Sequence, residues 1–276
     1  MSYSIEQLVP AEIPENVALA HAVGWPDDDA DWRVIHEAAV VLGARRDEQL
    51  LGQGALAGYA PNSGTIAKMI VAPNAQRQGV GAAILDALLA EAEQRSIDTL
   101  GLVATPLGQP LYASRGFSVT AEVAVFIGTA VLDRPTELTQ LLPEIEAAIA
   151  LERQFIACSR AAMLRGRFRE ASATAVYRAS EGTARGFALA TAKGPYALVG
   201  PVIAENEEVA RALVRAIFAS HAGAVRIDVP TEQTAFRAWI ASLGLPEKGV
   251  RPEMARGGKL PWQVPQRFAL ATQAWG

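Results

Sequence analysis

The chain has 276 residues and a mass of 29.2 kDa, about twice the commonest domain size of roughly 100 to 150 residues, so two comparable domains are expected. A hydrophobic content of 50% against 20% charged residues excludes an unfolded chain, and no run approaches the ~18 consecutive apolar residues of a membrane span. The net charge of -4 and pI near 5.5 argue against general nucleic-acid binding, which needs a basic face. After an opening strand-like segment, residues 14–23 read as a helix with Pro14 in its first turn, and residues 30–38 as a second short helix. Residues 37–45, 50–60 and 65–72 are apolar runs separated by the turn-rich segments 46–49 and 61–64, the pattern of an antiparallel meander. Residues 79–95 form the clearest helix, with Ile84, Leu85, Leu88 and Leu89 on one face. A buried strand (99–105), a short helix around 110–114 and a long strand (117–129) follow.

A helical stretch over 132–155, with prolines at 135 and 143, marks the expected boundary, giving domains 1–132 and 133–276. The second half then repeats the first in outline. Strands over 171–180, 186–192 and 196–204 precede a helix over 207–220, a strand over 225–230, a helix over 234–244 and a strand near 250–256. Aligning 50–57 with 184–190 suggests a period of ~130 residues, hence two copies of one fold. Each copy mixes a sheet with helices, so the class is α/β or α+β.

Chemistry is sparse outside one region. Cys158 is the single cysteine, and its setting over 155–163 reads as one turn of an apolar helix face with the thiol buried. His21, His36 and His221 show no metal-ligand spacing, so no metal is expected. Residues 1–135 carry 8 Lys+Arg against 16 Asp+Glu, whereas residues 136–276 carry 17 against 13. The halves can attract each other, or each can keep its charges solvated. Residues 1–15 hold no basic region followed by an apolar stretch, so the chain reads as cytoplasmic.

The informative stretch runs from Met69 to Ala82: a strand, then Gln76-Arg77-Gln78-Gly79-Val80-Gly81-Ala82 leading into a helix. Gly79 and Gly81 permit a tight turn and a close ligand approach, and the free amides of a helix start suit a phosphate. These residues resemble the acyl-CoA loop of the GNAT acetyltransferase superfamily, matched at Gln76, Gly79 and Gly81. Leu111-Tyr112-Ala113-Ser114-Arg115-Gly116-Phe117 resembles that superfamily's Leu-Tyr-x-x-x-Gly-Phe segment. The whole chain is similar to a tandem bacterial subgroup in which a diverged GNAT half follows a normal one. Its echoes include Gly24-Trp25, Asp31-Trp32, Gly200-Pro201-Val202, Ile227-Asp228-Val229-Pro230 and Arg251-Pro252-Glu253-Met254.

The resemblance implies two tandem domains, each a mixed, mostly antiparallel sheet flanked by helices, with acetyl-CoA as cosubstrate and no metal. It implies a monomer or homodimer that acetylates an amine of a small molecule or peptide by direct attack on the thioester, away from nucleic acid and membrane. The alternative is a noncatalytic CoA-binding protein of the same fold. The resemblance also implies that the sheet splays beside 65–72, so that Met69, Ile70 and Val71 offer backbone groups to pantetheine or to a developing oxyanion. It makes Tyr112 the acid that protonates the leaving thiolate. Thr105 stands where many members carry a cofactor-contacting asparagine, and its hydroxyl can take that role. Trp25, Asp31 and Trp32 are candidates for the acceptor pocket, although both tryptophans also fit a core role. Glu37, Asp28, Asp29 and Asp31 are available carboxylates, none singled out as a base, and Lys68 is left without a direction.

The segment Gly52-Gln53-Gly54 reads as a strand with room for a bulge or close packing, not a dinucleotide fingerprint. In the second half, residues 203–208 replace the glycine loop with Glu205, Glu207 and Glu208, which would repel a pyrophosphate. That half is expected to bind no CoA and to wall the acceptor cleft. Arg160, Arg165, Arg167 and Arg169 are expected to dock on acidic surface or to stay solvated.

Overall fold

A computed structural model describes residues 3–132 and 145–276. The expected boundary after residue 132, and the first part of the helix expected over 132–155, lie at or within the residues outside that description. The first half runs β1 (Ser4–Gln7), α1 (Ile13–Ala22), α2 (Asp29–Ala38), β2 (Val40–Arg46), β3 (Gln49–Tyr59), β4 (Ser63–Val71), α3 (Val80–Gln94), β5 (Thr99–Val103), α4 (Gln109–Ala113) and β6 (Ser118–Gly128). The second runs α5 (Ile145–Phe155), α6 (Ala161–Arg169), β7 (Ala171–Arg178), β8 (Ala184–Lys193), β9 (Tyr196–Ala204), α7 (Glu207–Ala219), β10 (Val225–Pro230), α8 (Thr234–Ser242), β11 (Glu247–Arg256) and β12 (Arg267–Ala269).

Local chemistry explains the helix starts. Asp28 caps α2, its Oδ1 accepting from the Asp31 amide at 2.9 Å while Asp31 accepts from the Asp28 amide at 3.3 Å. On α3, Ile84, Leu85 and Leu88 are fully buried against β3. That contact requires Gly52, where a Cβ would sit 3.0 Å from the Ile84 side chain. Close packing is therefore what the glycines of β3 serve. Cys158 is buried, yet it lies in a bend of the link between α5 and α6, where Ser159 bridges Ala60, and not on a helix face.

Among the described residues all twelve strands join one sheet in the order β1-β2-β3-β4-β5-β11-β6-β10-β9-β8-β7, with β12 beside β9. The halves exchange strands. β11 pairs with β5 over Glu253 to Arg256, taking the place beside the first half's own strands, while β6 pairs with β10 over its whole length from Val225 to Pro230. The two exchanged strands then pair with each other from Glu247↔Phe126 to Ala255↔Ser118. Neither half closes its sheet alone, because the neighbour of β5 and the neighbour of β10 each come from the other half.

A buried ion pair pins the exchanged strand. Glu253 on β11 and Arg267 on β12 are 1% and 2% exposed, and two hydrogen bonds of 2.8 Å join them. Trp262 Nε1 and Gln263 Nε2 donate to the same carboxylate at 3.1 and 2.9 Å. Burial pushes the Glu253 carboxyl up, but the Arg267 charge and these donors win and hold it below the usual range. Arg267→Met leaves that carboxylate buried and unpaired, and should cost about 3–5 kcal/mol in urea unfolding. A folded value below the ordinary 4.5 means that the wild-type contribution is complete above that pH and fades below it. The gap between the two proteins should therefore narrow toward acid.

Candidate active site

β4 and β5 run parallel and pair only from Ser63↔Thr99 to Thr65↔Gly101, where Thr65 Oγ1 donates to the Gly101 carbonyl at 3.0 Å. Beyond that point they diverge. Opposite β3, β4 carries one extra residue between Ala67 and Ile70, and Lys68 takes a left-handed φ of 52° there. Past this bulge the Ala72 amide bonds to the Leu51 carbonyl at 2.8 Å. Peptide groups alternate along a strand, so those of neighbouring Val71 face the gap. Gln76 Nε2 donates to the Val71 carbonyl at 3.2 Å.

The loop after β4 ends at Gly79, in the left-handed region at φ 84°, with no side-chain cap on α3. The first helical hydrogen bond is Ala83 N to Gly79 O at 3.0 Å, so the amides of Val80, Gly81 and Ala82 lie ahead of it with no partner inside the helix. Gly81 is close to β4, since a Cβ there would meet Val71 Cγ2 at 3.3 Å. These residues open onto a cleft of about 1050 Å³. Met69, Ile70, Val71, Gln76, Arg77, Gly79, Gly81 and Ala82 line it, whereas Gln78 turns back to the Asn74 carbonyl at 2.8 Å and the Val80 side chain is buried.

Tyr112, on α4, lines the same cleft and stacks edge-on against Phe117 with ring centroids 6.0 Å apart. Burial pushes its phenol far above the ordinary value, so it keeps its proton through the neutral range. Thr105 also lines the cleft, with its Oγ1 accepting from the Gly108 amide at 3.2 Å.

Across the cleft the bulge turns Lys68 inward, and its Nζ lies 2.6 Å from Asp27 Oδ2. The ammonium sits between the rings of Trp25 and Trp32, 5.7 and 5.8 Å from their centroids. The two tryptophans divide the roles left open by the sequence. Trp25 is on the cleft wall, but Trp32 is fully buried behind Lys68 and does not line the cleft. Asp31 lines it and pairs with Lys193 of the second half. Asp28 is spent on capping α2, and Glu37 is paired with Arg169 on the surface at 2.8 Å.

The arginine run of α6 departs from expectation. Arg165 and Arg169 do meet surface carboxylates, Glu146 and Glu37. Arg160, however, is buried against Glu152 at 2.6 Å, and Arg167 is buried in the cleft wall. Met163, Leu164, Arg167 and Phe168 share one buried face of α6. This i, i+4 spacing was the available signal that Arg167 points inward. Among the described residues no group of three or more His, Cys, Asp and Glu side chains is arranged to hold a metal ion.

Family models described as an acetyltransferase (GNAT) domain match residues 26–133 and again residues 148–268. The chain belongs to the GNAT acetyltransferases. It carries two such domains in tandem and is an acyltransferase. An uncharacterised N-acetyltransferase of Bacillus subtilis, YitH, is 24% identical over 94% of this chain and 93% of its own length. Among solved structures, a Pyrococcus horikoshii protein that is an acetyltransferase by assignment superposes with a TM-score of 0.85, covering 99% of this chain and 96% of that one at 19% identity. A tandem GNAT protein from the clavulanic acid biosynthesis pathway superposes at 0.69, covering 94% and 99% at 15% identity. These two likenesses concern the fold.

The second GNAT half has the same splay, differently filled. β9 and β10 pair in parallel only from Ala197↔Val225 to Val199↔Ile227. Into the gap beyond runs the chain's own segment 266–270. The Ala204 amide donates to the Gln266 carbonyl on one side, and the Leu270 amide donates to the Asp228 carbonyl on the other, each at 3.0 Å. The helix start is closed as well: Asn206 caps α7 by accepting from the Val209 amide at 3.1 Å, and Glu207 and Glu208 occupy its first turn. Gly200 makes the filling possible, because at its φ of 155° a Cβ would overlap the Leu270 carbonyl oxygen. Gly200→Ala should therefore lower unfolding stability by about 3 kcal/mol, the upper part of the overpacking range, in urea titration.

Proposed function

We propose that the chain transfers an acetyl group from acetyl-CoA to an amine of a small molecule or peptide, with residues 1–132 as the catalytic GNAT domain and 133–276 as a diverged one that walls the cleft. The observation that carries this reading is the contrast between two helix starts. The α3 start is uncapped, glycine-bearing and open to the cleft, while the α7 start is capped by Asn206 and acidic.

The residues present fit the cosubstrate. Gly79 holds the left-handed turn, and Gly81 lets α3 approach β4 so closely that a side chain would crowd Val71. The amides of Gly79, Val80, Gly81 and Ala82, with Gln76, Arg77 and Gln78 around them, form a cradle for a pyrophosphate. Met69 and Val71 offer strand-like backbone partners to the pantetheine amides, whereas Ile70, expected to do the same, turns its carbonyl toward Gly52 of β3 and lines the cleft without that role. Thr105 still has its hydroxyl proton to donate, because its oxygen is used only as an acceptor.

Bound acetyl-CoA supplies an activated acetyl thioester. The acceptor nitrogen, as a neutral amine, forms a bond to the carbonyl carbon as the carbon–sulfur bond breaks. The nitrogen's surplus proton leaves to solvent. The Val71 amide, turned into the gap, is aimed where an oxyanion develops. Tyr112 gives its proton to the departing sulfur and is reprotonated from solvent; a phenol kept neutral by burial is suited to that step. Trp25, Lys68 and the Asp27 and Asp31 carboxylates border the space left for the acceptor, with Trp32 supporting Lys68 from behind.

Calorimetry should find one CoA per chain; two would overturn the assignment of the second half. Tyr112→Phe should lower kcat about 100-fold with little change in KM for acetyl-CoA, measured by thiol release. Unchanged turnover removes Tyr112 from the chemistry.

A further inference from the structure

Lysine and arginine side chains outnumber carboxylates on the cleft wall, seven against three. Three cations are neutralised in place: Lys68 by Asp27, Lys193 by Asp31 and Arg226 by Asp228. Arg77 belongs to the loop before α3. Arg167, Lys248 and Arg251 remain, and among the described residues no carboxylate lies within ion-pair distance of any of them.

Arg167 is the informative one. It is 3% exposed. Its Nη2 donates to Thr191 Oγ1 at 2.6 Å, a neutral partner, and its Nε is buried with no partner at all. The carboxylates of Asp28 and Glu170 act on it only through space, and Asp28 Oδ1 is already committed to capping α2. Burial pulls its value down to about 10, which still leaves it charged at neutral pH. A buried guanidinium without a counter-charge destabilises the fold that holds it, and arginine cannot escape by losing its proton. The backbone is nonetheless built to put it there. Gly166 brings α6 against α2 so tightly that a Cβ would lie 2.6 Å from Val34 Cγ1, and the next residue enters the cleft wall.

We propose that the acetyl acceptor carries an oxyanion group, a carboxylate or a phosphate, and that Arg167 receives it, with Lys248 and Arg251 adding to the positive field of the same cleft. This rests on the reading of the chain as an acetyl-CoA-dependent amine acetyltransferase and narrows its substrate class. The amine end of such an acceptor would lie toward Lys68 and Tyr112 and its anionic end toward the second half. That arrangement gives the second half a part in acceptor selection although it presents no open donor loop of its own. A guanidinium whose one hydrogen-bonded nitrogen meets a neutral hydroxyl keeps its charge and further N–H donors for a carboxylate or phosphate.

The test uses the full chain. Titrating the CoA-saturated protein with succinate, inorganic phosphate and neutral succinamide by calorimetry should show saturable binding of at least one anion and none of the amide. Arg167→Met should weaken that binding about tenfold or more, and Arg167→Lys should restore part of it. The Met variant should melt at or above the wild-type temperature, because it removes an uncompensated charge; a clear fall in melting temperature with unchanged anion affinity would make Arg167 a structural residue and overturn the proposal. Equal anion binding by wild type and Arg167→Met, or no saturable binding of either anion, would also overturn it. Acetylation of amino acids set against their amides gives the catalytic arm, where the acids should be preferred by wild type and the preference lost in Arg167→Met. A preference for amides would reject the anionic acceptor while leaving acetyl transfer intact. Failure of acetyl-CoA to bind would reject the proposed function, and the anion titration repeated without CoA would still decide the site at Arg167.

Discussion

The exchange of β6 and β11 is the constraint on which the rest of the molecule depends. A strand edge buried without a partner leaves amides and carbonyls unsatisfied, at a cost comparable to that of lost hydrogen bonds. Each half supplies the strand that satisfies the other, so the sheet is continuous where a tandem duplication would ordinarily leave two edges in contact. The exchange also brings Ile127 and Val125 of β6 opposite Arg226 and Asp228 of β10, and Arg251 of β11 opposite Val123 of β6. The cleft is thus lined by both halves because its floor is woven from both. The buried Glu253–Arg267 pair, its carboxylate held by four donated hydrogen bonds, fixes the register of the inserted strand.

A second organising feature is that one local geometry has two chemical fates. Both halves present a parallel pair that parts after three paired residues, followed by a helix start. In one, glycines and an uncapped helix leave dipoles free. In the other, an asparagine cap and two glutamates consume them, and the chain threads its own backbone through the gap. The difference lies in a handful of side chains around residues 76–81 and 205–208, so it can be argued residue by residue.

This explains what the amino-acid order disclosed and what it withheld. α3 was legible because Ile84, Leu85, Leu88 and Leu89 repeat at helical spacing, and the loop before it was legible because the residues at 76, 79 and 81 follow from local needs. The strand exchange was not legible. Residues 250–256 read as a strand whichever neighbour they have, and the choice of neighbour is settled by contacts more than a hundred residues away in sequence. Segment 266–270 carries no strand signal of its own, because its hydrogen bonds are made into the gap between β9 and β10. Trp25 and Trp32 looked equivalent on paper; the bulge at Lys68, a departure of one residue from regular pairing, set one on the wall and the other behind it. Arg167 sat in a run rich in arginine, and composition outweighed the helical period that would have turned it inward.

The filling of the second splay by 266–270 has a bearing on how the whole cleft behaves. A gap that must be occupied by a diffusible molecule opens and closes with the concentration of that molecule, and everything resting on it shares the fluctuation. A gap occupied covalently does not. Lys193, Tyr196 and Arg226 stand on strands of the half whose gap is already tied shut, so their spacing is independent of whether a cosubstrate has arrived opposite them. With the proposed function, one side of the chamber is thereby a fixed template and the other an adjustable one, an arrangement in which selection of an acceptor would not wait for the donor.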